Sequence, residues 1–209
     1  MSRYKKYFIA AIRGHFPDSF VDIINDCDNH YLAISKDTEF AKTSSNPIDK
    51  RLDFCTYFLA LIISLDKLGL PYERIRRICL EITTEYVRPK NRLQQLLKRL
   101  PPKLANTWLS SVLLKMLNKK VSKNSNQDGF IANIITGKND TYGFGYGIDI
   151  LQCGICKLFH KHNYGKYSSI LCEVDELTLA LAGLKLIRTG TIAMGAKKCD
   201  FRFKKPAQG

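Results

Sequence analysis

Through the first half of the chain, apolar residues recur at steps of three and four. In much of the last third they recur at steps of two, so helices are expected first and strands later. Arg3 to His15 reads as a short amphipathic helix and Asp18 to Leu32 as a second, with Pro17 just before it as a start signal. A third follows Pro47-Ile48-Asp49 and runs to about Lys67. Its stretch Tyr57-Phe-Leu-Ala-Leu-Ile-Ile-Ser-Leu65 is apolar on nearly every face, which predicts a central place in a bundle. Gly69-Leu-Pro71 ends it. Tyr72 to about Tyr86 sets Ile75, Ile78, Cys79 and Ile82 on one stripe with a polar back, and Pro89 closes it. Arg92 to Leu100 and Leu104 to Leu117 give two basic amphipathic pieces, separated by Pro101-Pro102, which cannot sit inside one continuous helix.

From Ser122 the pattern changes. Lys123 to Gly129 is a polar linker, and Phe130 to Thr136 is short and β-branched. Gly137 to Asp140 forms a turn, and Phe144 to Leu151 alternates as a strand does, so the two runs predict an antiparallel hairpin. Lys157 to His162 reads as a short helix, and Asp175 to Gly183 as a better one with Gly183 as its terminator. Leu184 to Ala193 and Cys199 to Lys204 then read as closing strands. The expected fold class is α+β: an N-terminal helical bundle packed on a C-terminal antiparallel sheet of about four strands, in the order β-β-α-α-β-β. Residues 1–122 form the helical region and residues 123–209 the α+β region. At 209 residues, one compact unit is expected to hold both.

Composition narrows the class. With 45% hydrophobic and 25% charged residues the chain is an ordinary globular sequence, not a disordered or fibrous one. Its longest apolar run falls well short of the roughly 20 residues that cross a bilayer, so no transmembrane segment is expected. The opening MSRYKKYFIAAIRGHF has too short an apolar run for a secretory leader. The seven cysteines are an odd number, scattered from Cys27 to Cys199, and are expected to be reduced thiols in a cytoplasmic protein. The net charge of +14 asks for an anionic partner. Much of it lies between Glu85 and Asp128, where no acidic residue occurs. A single Trp108 there, and no motif for base readout, argue against nucleic acid; a solvated helix face that gathers a small anionic substrate fits better.

Reactive side chains concentrate in the last third: Cys153, Cys156, His160, His162, Cys172, Asp175, Arg188 and Cys199. Arg188 stands in an apolar run and is suited to hold a carboxylate in a bidentate way, with a surface ion pair as the plain alternative. Asp175 is a candidate general base, or else an acid of a helix's first turn. Cys172 is a candidate nucleophile if it lies near a helix N-terminus and a cation; otherwise it is a buried, inert thiol. Cys153, at a strand end, and Cys199, at a strand start, could line the same pocket.

Cys153, Leu171-Cys-Glu-Val-Asp175, Leu186-Ile-Arg-Thr-Gly-Thr-Ile-Ala193, Gly195 and Cys199-Asp-Phe-Arg-Phe203 together resemble the L-2-amino-thiazoline-4-carboxylic acid hydrolase family. The resemblance spans Tyr146 to Lys204 in ordered spacing. More distantly, the closing Cys-Asp-Phe-Arg-Phe looks like the end of the 4-vinyl-reductase-type ligand-binding domain, which implies helices on an antiparallel sheet. The family implies ring-opening hydrolysis of a cyclic amidine-like substrate to a carbamyl cysteine. Cys172, Asp175 and Arg188 would be the catalytic residues, with Cys153, Thr191 and Cys199 lining the pocket; Thr191 enters only through the resemblance.

Three other readings stay open. Cys153-Gly-Ile-Cys156 has the spacing of a thioredoxin-like pair, although no proline lies between Pro102 and Pro206. No cofactor is predicted, yet Cys153, Cys156, Cys172 and Cys199 with His160 or His162 could hold zinc. The third is a non-catalytic small-molecule-binding or sensing domain that keeps the pocket.

Overall fold

The computed structural model describes residues 4–88, 108–123, 126–137 and 139–204. Helix α1 is Lys5–His15, α2 Phe20–Ile34, α3 Arg51–Lys67 and α4 Tyr72–Val87, with a 3₁₀ segment Ser35–Lys42 after α2. Helix α3 has no polar face, and twelve of its 17 residues are buried, so it can only be the centre around which the others pack. The three hydroxyls carried inward are all satisfied, that of Tyr57 by donating to Asp28 at 2.8 Å. Thr56 Oγ1 donates to the Leu52 carbonyl at 2.7 Å, and Ser64 Oγ donates to Asp26 at 2.6 Å. The predicted helix over 92–100 lies outside the described residues, as does the start of the one over 104–117; the rest of that piece is α5, Trp108–Val121.

Strands β1 (Ile131–Ile135), β2 (Gly147–Gln152), β3 (Lys185–Ile187) and β4 (Cys199–Lys204) pair antiparallel in the order β1-β2-β4-β3. Helices α6 (Gly154–Lys161) and α7 (Ser168–Leu181) fall between β2 and β3 in the chain. The α+β class and the four-stranded antiparallel sheet are therefore as the sequence predicts. The register sets Ile150 beside Cys199, Ile148 beside Phe201 and Leu186 beside Phe203.

Three boundaries differ from expectation, each for a local reason. Helix α7 begins at Ser168, not Asp175, because Ile170, Leu171 and Val174 extend its buried stripe by two turns, and Ser168 Oγ donates to the Gly165 carbonyl at its start. Cys172 and Asp175 consequently sit inside the helix and not at its N-terminus. Helix α6 begins at Gly154, before Lys157. A Cβ at Gly154 would lie 3.0 Å from the Asp128 carbonyl oxygen, so the absent side chain lets the helix start against the linker. The predicted strand over 184–193 stops at Ile187. Asp200 accepts the backbone N–H groups of Thr189 at 2.9 Å and Gly190 at 3.1 Å, and the Thr189 hydroxyl at 2.8 Å, which bends the chain off the ladder. Arg188 and Thr191 thus belong to a loop. Gly183, with φ of 75°, closes α7 as expected: the Leu184 N–H reaches the Leu179 carbonyl at 2.9 Å in a Schellman-type end.

The helical and β-containing regions share one hydrophobic core, in which Phe58, Leu61 and Ile78 meet Phe159, Ile170 and Cys199. Polar clamps fix the seam. Asn46 Nδ2 donates to the Phe130 carbonyl at 2.9 Å, and Asp49 accepts the Phe130 N–H at 2.8 Å, with both side chains fully buried. Arg76 Nε donates to Glu173 at 2.8 Å, and the Tyr167 hydroxyl donates to Asp66.

Candidate functional site

A cavity of about 600 Å³ lies between the start of α3, the end of α4, the inner face of α7 and one face of the sheet. The volume suits a small-molecule site, for which roughly 300–1,000 Å³ is usual. Strand alternation supplies its floor: Ile148 and Ile150 from β2, and Cys199, Phe201 and Phe203 from β4, all point the same way. Helix α7 supplies a wall through Ser168, Leu171, Cys172, Asp175 and Leu179, at helical three- and four-residue steps.

Cys153, Cys156, Cys172 and Cys199 all line this cavity. The start of α6 makes the first two neighbours, with Cys153 as the N-cap and Cys156 within the first turn. All seven cysteines lie in described segments, and among them Cys156 alone is held below its ordinary pKa. The hydrogen bond from the Cys153 thiol favours its thiolate against the opposing effect of burial, with Ser168 helping. The same bond, together with burial, keeps Cys153 protonated well above its ordinary range. Burial pushes Cys172 up to about 12, although the Arg188 charge pulls the other way, and burial raises Cys199 too. The expectation that a helix start would activate Cys172 fails because Cys172 is mid-helix.

Asp175 meets a cation that the sequence reading did not single out. Arg51 Nη2, from the first turn of α3, lies 2.5 Å from Asp175 Oδ1, and both residues line the cavity. The described lining includes neither Arg188 nor Thr191. The Arg188 side chain is 10% exposed: Nη2 bonds Glu176 at 2.7 Å and the guanidinium lies 5.4 Å from the ring centroid of Phe201, a floor residue of the cavity. Its Nη1 is buried without a hydrogen-bond partner, as is the Thr191 hydroxyl. The Arg188 charge nevertheless bears on the thiols, pulling Cys172 and Cys199 down against burial.

Sequence reasoning missed Arg51 as a site residue. Its only signal was a cation, next to Lys50, opening a helix that is otherwise apolar on nearly every face. Cys156 was visible as half of the Cys-x-x-Cys spacing.

Among the described residues, no group of three or more His, Cys, Asp or Glu side chains is arranged to hold a metal ion. The two histidines are engaged elsewhere: His162 Nε2 lies 2.9 Å from Asp37, and the exposed His160 ring packs over Gly165. Nor is any helix of the described residues long and apolar enough to cross a membrane.

No curated protein and no solved structure matches the chain. The sequence profile of one family does, over residues 58–203, well over half of the chain and covering α4, α6, α7 and all four strands. The protein belongs to the L-2-amino-thiazoline-4-carboxylic acid hydrolase family.

Proposed function

We propose that the cavity hydrolyses a cyclic amidine carrying a neighbouring carboxylate, opening a ring such as L-2-amino-thiazoline-4-carboxylate to a carbamyl cysteine. The observation that carries this reading is the meeting, in one cavity, of the Arg51–Asp175 ion pair and the thiols of Cys153, Cys156, Cys172 and Cys199. In this reading Arg51 takes the clamping role first expected of Arg188. Its guanidinium spends one nitrogen on Asp175 and has others to offer a substrate carboxylate. Asp175 holds the amidine nitrogen and its proton. Cys156 takes the nucleophile's role first expected of Cys172, which becomes part of the wall beside Cys153 and Cys199.

The bonds balance simply. The Cys156 thiolate adds to the ring carbon between nitrogen and sulfur, and the ring carbon–sulfur bond breaks with the pair leaving on sulfur, which takes up a proton. Water then adds to the same carbon and expels Cys156, leaving the carbamyl group. The net change is one water added and one thiol freed, so a thiol-reactive dye follows the reaction. Wild-type protein given L-2-amino-thiazoline-4-carboxylate should release thiol with time, and Cys156→Ser should lower kcat by about 10²-fold or more. Absence of turnover on every cyclic amidine tried would remove the assignment.

The mainly apolar floor and walls favour a second reading, a non-catalytic binder. Such a protein is stabilised by its ligand and leaves it chemically unchanged.

A further inference from the structure

A five-membered ring with a single carboxylate leaves most of a 600 Å³ cavity unfilled, and the cavity is not uniform along its length. At one end, Ser168 opens α7 and lies against Cys156, which lines the cavity with Cys153 and Cys199. At the other end, Leu179 packs with Phe203 and Phe201 in the second hydrophobic cluster of the molecule. Ser168 and Leu179 both line the cavity and stand 11 residues apart on one helix, which at 1.5 Å per residue is roughly 16 Å. The Arg51–Asp175 pair lies between these ends, on the polar side of Leu179. Apart from Thr83 and Cys199, the lining residues contributed by α4 and β4 are apolar or aromatic: Tyr86, Val87, Phe201 and Phe203.

We infer that the natural ligand is an amphiphilic monocarboxylate with an apolar tail, the head at Arg51 and the thiols, the tail running between α7 and the sheet toward Leu179 and Phe203. The inference deepens the reading above, because it names what else the substrate of that cavity carries. Arg51 supplies the charge that selects a carboxylate over a neutral head. The apolar end supplies affinity that grows with each methylene buried, about 0.8 kcal/mol or about fourfold per CH₂. A ligand without the tail would leave Phe201, Phe203 and Leu179 facing water inside the cavity.

The test is calorimetric binding to the full chain, with acetate, hexanoate, decanoate and myristate each below its aggregation threshold, and the matching alcohols beside them. Affinity for the carboxylates should rise by about fourfold per methylene until the cavity is full and then level off. Decanol should bind at least about tenfold more weakly than decanoate, and Arg51→Gln should narrow that gap. Affinity indifferent to tail length, or greatest for the shortest acid, overturns the inference; so does equal binding of acid and alcohol. These readouts are independent of turnover: an active enzyme that ignores tails sinks only this inference, and a tail-binding protein without turnover sinks only the hydrolase reading.

Discussion

Arg51 and Asp175, 124 residues apart in the chain, form an ion pair at 2.5 Å that joins the central helix α3 to the wall of the cavity. The Arg51 side chain is 46% exposed and the Asp175 side chain 17%, so the pair faces solvent within the cavity and contributes little to folding, on the order of 0–1 kcal/mol. Its use is at the site. Arg51→Ala and Asp175→Asn should each melt within a few degrees of wild type, yet lower kcat/KM by about 10²–10³-fold. Arg51→Lys should recover only part of the loss, because an ammonium cannot serve Asp175 and a carboxylate in one planar fork. Melting temperatures that collapse in step with activity would show instead that the pair is structural.

The four cavity thiols should separate cleanly by pH. A thiolate is the species that iodoacetamide attacks, so each cysteine becomes reactive as pH rises through its own pKa. With Cys156 held down and Cys172 pushed up to about 12, labelling should reach Cys156 at a lower pH than Cys172. Cys153→Ala removes the hydrogen bond that favours the Cys156 thiolate, and should move the onset of Cys156 labelling to higher pH. Peptide mass spectrometry after short exposures decides the matter. Cys172 labelled first, or all four at one pH, would contradict the arrangement.

What the sequence disclosed, and what it withheld, follows from how far each cause lies along the chain. The apolar run from Tyr57 to Leu65 carries its own reason for being central, so α3 was legible. Gly183 likewise ends α7 by a local bond, from Leu184 to Leu179. The start of α7 was hidden because Ser168 and Ser169 resemble loop residues, while the burial that makes them helical comes from the next two turns. The end of β3 was hidden for a longer-range reason: the carboxylate that folds Thr189 and Gly190 away from the sheet is Asp200, on a different strand. Cys153, Cys172, Asp175 and Cys199 were singled out by residue type and do line one cavity. Arg51 was not, because nothing in its neighbourhood anticipates a partner 124 positions later.

Asp200 gives a prediction with a definite sign. Burial works against its ionisation, but the Thr189 hydroxyl and the N–H groups of Thr189 and Gly190 outweigh burial and hold the carboxyl below its ordinary range. A depressed folded-state pKa adds stability that is present above the unfolded value, near pH ~4, and is lost as pH falls through the folded value. Asp200→Asn should therefore melt below wild type at pH 6, and the difference should shrink as both are titrated into acid below pH ~4. A gap constant across that range would mean that the charge on Asp200 contributes nothing to holding the loop.

Gly154 links the fold to the thiols. A Cβ there would lie 3.0 Å from the Asp128 carbonyl oxygen, 3.2 Å from the Phe130 ring and 3.3 Å from Leu52, so any side chain forces the start of α6 away from the linker and from α3. The neighbouring residues are the N-cap Cys153 and, two positions on, Cys156, and the effect of the Cys153 thiol on Cys156 depends on the first turn staying in place. Gly154→Ala should destabilise the protein by about 1–3 kcal/mol, the usual range for an overpacked contact. It should also do what no distant core mutation of equal cost does, which is to move Cys156 labelling to higher pH. Leu61→Ala, in the middle of α3, is the matching control: it should cost about 2–5 kcal/mol while leaving the order of thiol labelling unchanged. If both variants lose stability and neither alters the labelling, the first turn of α6 is not what sets the state of Cys156.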